Sequence, residues 1–416
     1  MALTDDRPAT SVPAGVQRRI IRVLTATQVL GGIGVATGVA VSTLAAASLS
    51  GSDAIGGLAQ TSAVLGAALL AVPTARAAAR SGRRTALMFA YGCGVLGAVV
   101  TMTALALGTW PLMLAGLLLF GGGSTANLAA RYAATDLSRP GHSARDLSIV
   151  VWATTIGSVA GPNLAAPAGR VGAWFGLPER AGPYALAALA FGLAALGILA
   201  GLRPDPLRLA QKLEAAGTPG PDRSLGAAWR TLRASRSGRI AVAAIVVSHT
   251  AMVSLMSMTP VHLNHGGADV TVVGIVISLH IAGMFALSPL VGWLADQLGH
   301  LPVLLLGMVQ LIAATALAGT SSAHDVGQLS AGLILLGTGW SCGLVAGSAL
   351  LTDSVPAERR PSVQGLSDLL MNGGGALGGV LAGAIVMLSS YAVLAGLIAA
   401  FVIPMIVVLL LARDSR

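Results

Sequence analysis

Apolar residues run along this chain in continuous stretches of about 20, and polar positions gather in the short gaps between them. A helix of that length crosses the roughly 30 Å hydrocarbon core of a bilayer. The runs are continuous rather than alternating, which argues against a membrane β-barrel. The pattern predicts twelve spans, at residues 23–49, 55–75, 85–107, 111–134, 147–168, 183–202, 240–261, 270–295, 301–319, 329–351, 362–388 and 391–411. One polar stretch, 203–239, is too long for a turn and divides the chain nearly in half. The predicted fold is an all-α polytopic membrane protein with two pseudo-symmetric six-helix bundles. They occupy 23–202 and 240–411, with tails at 1–22 and 412–416 and a linker at 203–239. Within the linker, 225–235 reads as a short basic amphipathic helix lying on the membrane surface.

Composition supports this reading. Of 416 residues, 55% are hydrophobic and 10% charged, whereas soluble domains carry about 25% charge. A net charge of +9 would suggest nucleic acid on a soluble protein; here it follows topology. With both termini on one side, that side receives all of the 25 Lys and Arg except Arg170 and Arg180. The positive-inside rule then makes the termini cytoplasmic, in the cytoplasmic membrane of a bacterium. In this count Arg131 belongs to the loop after the fourth span. Cys93 and Cys342 lie inside spans and imply no disulfide framework. The polar first 19 residues pass straight into a full-length span, so no cleaved leader is expected. No nucleophile–base pairing suggests an enzyme, and a monomer in the bilayer is the expected form.

The candidate chemistry lies in spans 7 and 8. Met252 and Met256 are four residues apart on one, and His280 and Met284 are four apart on the other. That spacing places each pair on one helix face. At 1.5 Å per residue, Met252 and Met256 lie about 18 and 24 Å along span 7, and His280 and Met284 about 15 and 21 Å along span 8. The depths overlap near mid-membrane, where transporters of this architecture bind their cargo. Thioether and imidazole suit Cu(I) better than a hard cation. His249 shares the face of Met252 and is placed to release an ion inward, while His262 and His265, in the outer turn, are placed to collect one. The same methionines also serve as ordinary fillers of irregular apolar space. Asp296, Asp353 and Asp368 are read near inner helix ends, leaving no carboxylate at mid-depth.

Six spans, a basic linker and six spans resemble the major facilitator superfamily. Gly292, Asp296 and Gly299 match its inner-loop signature in the second half. The first half keeps Arg80, Gly82, Arg83 and Arg84 but has Ala79 where the family usually carries Asp. The resemblance implies that these loops latch the inward-closed state by charge contacts, with the first-half latch in doubt. Gly157, Gly161 and Pro162 in span 5 resemble the GxxxGP motif of proton-driven drug exporters. The exporters' membrane-embedded Arg ahead of the span 4 glycines has no counterpart, since Leu117, Leu118 and Leu119 stand there. The MxxxM and HxxxM pairs are similar to the signature of CcoA-like copper importers. That resemblance implies alternating-access import of Cu(I), as cargo rather than cofactor, with Met252, Met256, His280 and Met284 as ligands. The alternative is a proton-coupled exporter of drugs or other small organic compounds, with Asp368 and Asn372 as coupling or substrate contacts.

Overall fold

The computed structural model describes residues 15–214, 224–267, 270–322 and 324–413, and among these it contains helices and no strand. Span 1 is α1 (Val16–Ser50), followed by α2 (Asp53–Ser81), α3 (Arg83–Leu107), α4 (Trp110–Thr135), α5 (Ser143–Trp174) and α6 (Gly182–Gly201). The linker forms α7 (Pro206–Glu214) and α8 (Leu225–Ala234). The second half comprises α9 (Arg236–His265), α10 (Val270–Phe285), α11 (Ser288–Leu298), α12 (His300–Thr320), α13 (Val326–Asp353), α14 (Arg360–Leu388) and α15 (Tyr391–Arg413). Among the described residues, twelve stretches are long and apolar enough to cross a membrane, with α10 and α11 forming one of them. An even number of crossings brings both ends of the described chain to one face, called here the termini side.

Two differences from the expected spans bear on function. Span 8 is not one helix. It breaks after Phe285 and restarts at Ser288, with Pro289 in the first turn of α11. Proline lacks the amide hydrogen, and its ring crowds the carbonyl four residues back, here that of Phe285. The break therefore falls one residue beyond Met284. Arg131 is also not in a loop. It lies inside α4, 1% exposed, although it was counted among the loop cations.

The predicted linker helix is present as α8. Ser224 caps it by accepting the amide of Ala227, and Ala227, Ala228 and Leu232 are buried beneath it. His265 ends α9, and its side chain lies outside the described residues, as do the linker's Arg223 and the tail's Arg7.

Two apolar cores organise the helices, one drawn from the first half and one mainly from the second, which also takes in Ala144, Leu147 and Val151 of α5. Small residues set the approach of α1 and α5. A Cβ at Gly157 would lie 2.6 Å from the Cα of Gly32, and one at Gly161 would lie 2.5 Å from Ala36 Cβ. The span 5 motif thus lets two backbones touch, as small residues do between membrane helices. Thr37 Oγ1 donates to the Gly161 carbonyl at 3.1 Å across the same contact.

Equivalent turns in the two halves repeat each other. Gly82 between α2 and α3 has φ 91° and ψ 175°, and Gly299 between α11 and α12 has φ 88° and ψ 162°. That backbone region is closed to residues with a Cβ, so the glycines of the two inner-loop signatures are required by geometry.

Candidate functional site

A cavity of about 260 Å³ lies between the two halves. The first half lines it with Gln28 and Val35 of α1, Asn127 and Arg131 of α4, and Thr154 and Ser158 of α5. The second half contributes His249 and Met252 of α9, Met284 and Phe285 of α10, Trp340 and Leu344 of α13, and Asn372 of α14. One wall is aromatic, with Phe285 and Trp340 meeting edge to face at 5.5 Å. The remaining polar groups are amides, hydroxyls, one imidazole and, at one end, the Arg131 guanidinium.

Two of the polar side chains are held by definite neighbours. Trp340 Nε1 donates to His249 Nδ1 at 3.0 Å. An accepting Nδ1 leaves the ring proton on Nε2. Gly375 of α14 makes room for that ring, since a Cβ there would lie 2.9 Å from Nε2. Gln28 Nε2 donates to Thr154 Oγ1 at 2.8 Å, which fixes the amide. Its other end, Oε1, is buried and has no partner among the described residues. A buried acceptor of this kind is costly unless something donates to it.

The structure separates the four residues of the two spaced pairs. Met252 and Met284 line the cavity, and His249 joins them. Met256 is not part of the lining; it packs, half-buried, against the second core. His280 is buried, and its Nδ1 donates to the Leu333 carbonyl of α13 at 2.8 Å. His262 stacks on Tyr391 of α15, with ring centroids 4.3 Å apart. Among the described residues, no three His, Cys, Asp or Glu side chains cluster as a metal site.

The floor of the cavity, toward the termini side, is built from charge. Arg131 Nη2 donates to Asp368 Oδ1 at 2.6 Å and to Tyr132 Oη at 3.1 Å. Its Nε donates to Ser348 Oγ at 3.0 Å, and its Nη1 to the Leu128 carbonyl at 2.9 Å. Asp368 is therefore not an open residue at a helix end. It is buried and paired to a cation on the opposite half. Sequence reading looked for a buried Arg ahead of the span 4 glycines, whereas the buried Arg stands after them. Asn372, one turn along α14, donates to the Asp368 carbonyl and faces the cavity.

Below this pair the inner-loop signatures engage. Arg83 Nε and Nη2 hold Asp136 at 2.7 and 3.1 Å, and Nη2 also reaches Gln364 Oε1 of α14 at 2.6 Å. The first-half loop therefore binds the second half without an Asp at position 79. Asp205 of the linker accepts the Arg84 amide at 2.8 Å. Arg208 Nη2 donates to the Arg80 carbonyl at 2.6 Å. In the second half, Asp296 accepts the amides of Ala144 and Arg145 at 3.1 and 2.9 Å, at the start of α5. Gly292 lets α11 approach α5, since a Cβ there would meet Ser148 Oγ at 2.2 Å. A carboxylate at a helix N-terminus is worth about 0.5–2 kcal/mol. Replacing Asp296 with Ala should weaken the closed termini side by that amount, read as faster cysteine labelling of Ser148→Cys.

Comparison with known proteins places this arrangement. Residues 24–268 and 242–416 match the sequence profile of the Major Facilitator Superfamily. The chain is 37% identical over 393 residues to the MFS-type transporter YdeG of Bacillus subtilis (strain 168), covering 94% of this chain and 91% of that one. It is 29% identical over 381 residues to the riboflavin transporter RfnT of Brucella anthropi, covering 91% and 92%. Among solved structures, the human organic anion transporter MFSD10 (TETRAN) shares the fold with a TM-score of 0.76 at 16% identity, over 94% of this chain and 99% of that one.

Proposed function

The chain belongs to the major facilitator superfamily of membrane transporters, and from that premise we propose that it carries a small, flat, hydrogen-bonding organic solute across the bilayer by alternating access. The observation that carries this reading is the pairing, in one cavity, of the Phe285–Trp340 aromatic wall with the side chains of Gln28, Asn127 and Asn372. The wall supplies a face for a ring to stack on. The amides of Gln28, Asn127 and Asn372 and the His249 imidazole offer hydrogen bonds to its edge. A heteroaromatic ring with an N–H and carbonyl edge answers both demands. Riboflavin has such a ring and is the cargo named for the relative RfnT; it is the first compound to test. The cavity volume lies near the lower end of small-molecule sites, roughly 300–1,000 Å³. Positive residues concentrated on the termini side support a cytoplasmic location for the termini. The halves then meet on the cytoplasmic side.

A second reading, Cu(I) transport, is favoured by one observation. Met252, Met284 and His249 line the same cavity and form a soft-ligand set. In this reading His249 replaces the buried His280.

Binding to purified protein separates the two readings. Riboflavin fluorescence should be quenched on addition of wild-type protein, with a dissociation constant in the micromolar range, about −8 kcal/mol. Cu(I) under reducing conditions should not compete. Absence of quenching, together with Cu(I) binding that is lost in Met252→Ala/Met284→Ala, would replace the organic solute with copper.

A further inference from the structure

Away from the seam between the halves, an open groove of about 440 Å³ lies between α3 and α6. Arg84, Thr85, Met88 and Phe89 of α3 and Leu199 of α6 line it. The polar and apolar members are sorted by depth. Arg84 and Thr85 stand at the start of α3, on the termini side, and Leu199 stands in the last turn of α6. Phe89 lies about 7.5 Å deeper than Arg84 at 1.5 Å per residue. It is 40% exposed, with Met88 and Leu199 half-buried beside it. The groove therefore has a cationic lip over an apolar trough.

The two adjacent arginines of this loop differ in what they meet. Arg83 turns inward and is saturated by Asp136 and Gln364. Arg84 is half-buried, and its Nε is fully buried with no hydrogen-bond partner among the described residues. Asp205 does not serve it, because that carboxylate accepts the backbone amides of Arg84 and Arg208. A guanidinium donor that is out of water and unmatched is costly, so an acceptor from outside the chain is favoured there. Phosphate oxygens match the planar fork of a guanidinium. Below the lip, the surroundings of Phe89 and Leu199 are hydrocarbon. An occupant with an anionic head and an apolar tail answers both ends at once.

We propose that this groove binds an anionic phospholipid of the termini-side leaflet, with its phosphate on Arg84 and an acyl chain along Met88, Phe89 and Leu199. Arg203, exposed just past the end of α6, adds a second cation at the same end of the helix pair. A headgroup with a cation of its own, such as choline, opposes these charges, whereas a glycerol headgroup does not. The inference needs only the membrane location of the chain and is independent of the solute.

The test is native mass spectrometry of the delipidated full-length protein in detergent, without solute. The probes are dioleoylphosphatidylglycerol and dioleoylphosphatidylcholine, which have identical chains. Wild type should retain the glycerol lipid about 10-fold more tightly than the choline lipid. Arg84→Gln should abolish that preference, whereas Arg139→Gln, which removes an exposed cation elsewhere on the termini side, should leave it. Phe89→Ser should weaken retention of both lipids. Glycerol 3-phosphate at the lipid's concentration should displace nothing. Equal retention of the two lipids by wild type overturns the proposal, as does an Arg139→Gln loss equal to that of Arg84→Gln. Displacement by glycerol 3-phosphate assigns the lip to a free anion and overturns the lipid, and wild-type retention in Phe89→Ser overturns the placement of the chain. The wild-type comparison needs no substitution, so poor folding of a variant does not shield the idea. Since no solute is present, failure here leaves the solute reading intact, and absent riboflavin binding leaves this one intact.

Discussion

Replacing Arg131 with methionine is expected to lower the stability of the detergent-solubilised protein by roughly 3–5 kcal/mol, and adding Asp368→Leu is expected to restore most of it. The reasoning starts from the donor inventory. The three guanidinium nitrogens are engaged by Ser348, Leu128, Tyr132 and Asp368 at 2.6–3.1 Å. Methionine fills much of the volume and donates nothing. Asp368 is then a buried carboxylate without its cation, and that uncompensated charge accounts for most of the cost. Leucine at 368 removes it, so the doubly substituted floor is apolar and satisfied. Chemical or thermal unfolding of the two single variants and the double variant forms a cycle whose coupling term isolates the pair. Transport should be lost in all three, because the apolar floor has no charged contact to make and break. If Arg131→Met unfolds with the wild-type midpoint, the pair does not hold the resting state, and the charge network below it, centred on Arg83, carries the latch by itself.

What the sequence made legible follows from range. The twelve spans needed only local composition, and the Gly82 and Gly299 turns needed only motif spacing. The Arg131–Asp368 pair joins residues 237 positions apart. A charge near the end of an apolar run reads locally as the start of a loop, so nothing near Arg131 announced a partner. The break in span 8 was within reach, since Pro289 sits inside the run, but hydropathy does not register a missing amide hydrogen.

The HxxxM pair shows a different limit. His280 and Met284 do share a helix, α10. Residues four apart are still rotated by about 40° from one another. That rotation is enough for Met284 to reach the cavity while His280 turns into α13. The aromatic wall went unread although it carried a signal. Trp340 stands in the run GTGWSCG, one large ring among residues whose small size only a packed interface or a cavity requires.

The two halves of the molecule also divide the labour of closure differently. On the first-half side, Arg83 reaches across to Gln364 while holding Asp136. On the second-half side, Asp296 reaches across to the amides of α5. The loop that lacks an Asp at 79 therefore keeps a latch by using its cation, and the loop that lacks the family's cations keeps one by using its acid. Each contact is a hydrogen bond to a charged group, so each is directional and is lost over a small displacement. Together with Arg131–Asp368 they join the halves through α3, α4, α5, α11 and α14, and parting the halves must break each of them.

Trp340→Ala should weaken binding of a flat solute by 10- to 100-fold, about 1.4–2.8 kcal/mol, the range expected when a ring loses its stacking face. Two losses combine. The aromatic wall with Phe285 is removed. The Nε1 donor that holds His249 Nδ1 is removed with it, so the imidazole is free to change tautomer and turn its accepting edge toward the cavity. Trp340→Phe separates the two, because it keeps a ring and drops the donor. It should fall between wild type and Trp340→Ala in riboflavin quenching, and His249→Ala added to Trp340→Phe should cost little more. The same series tells the two cargo readings apart. Neither Trp340 substitution removes a thioether or the His249 imidazole, so Cu(I) affinity should stay within a factor of about 3 of wild type if copper were the cargo held by Met252, Met284 and His249. A series in which riboflavin binding follows the ring at position 340 assigns the cavity to an organic solute. One in which only Met252→Ala and Met284→Ala matter assigns it to the metal.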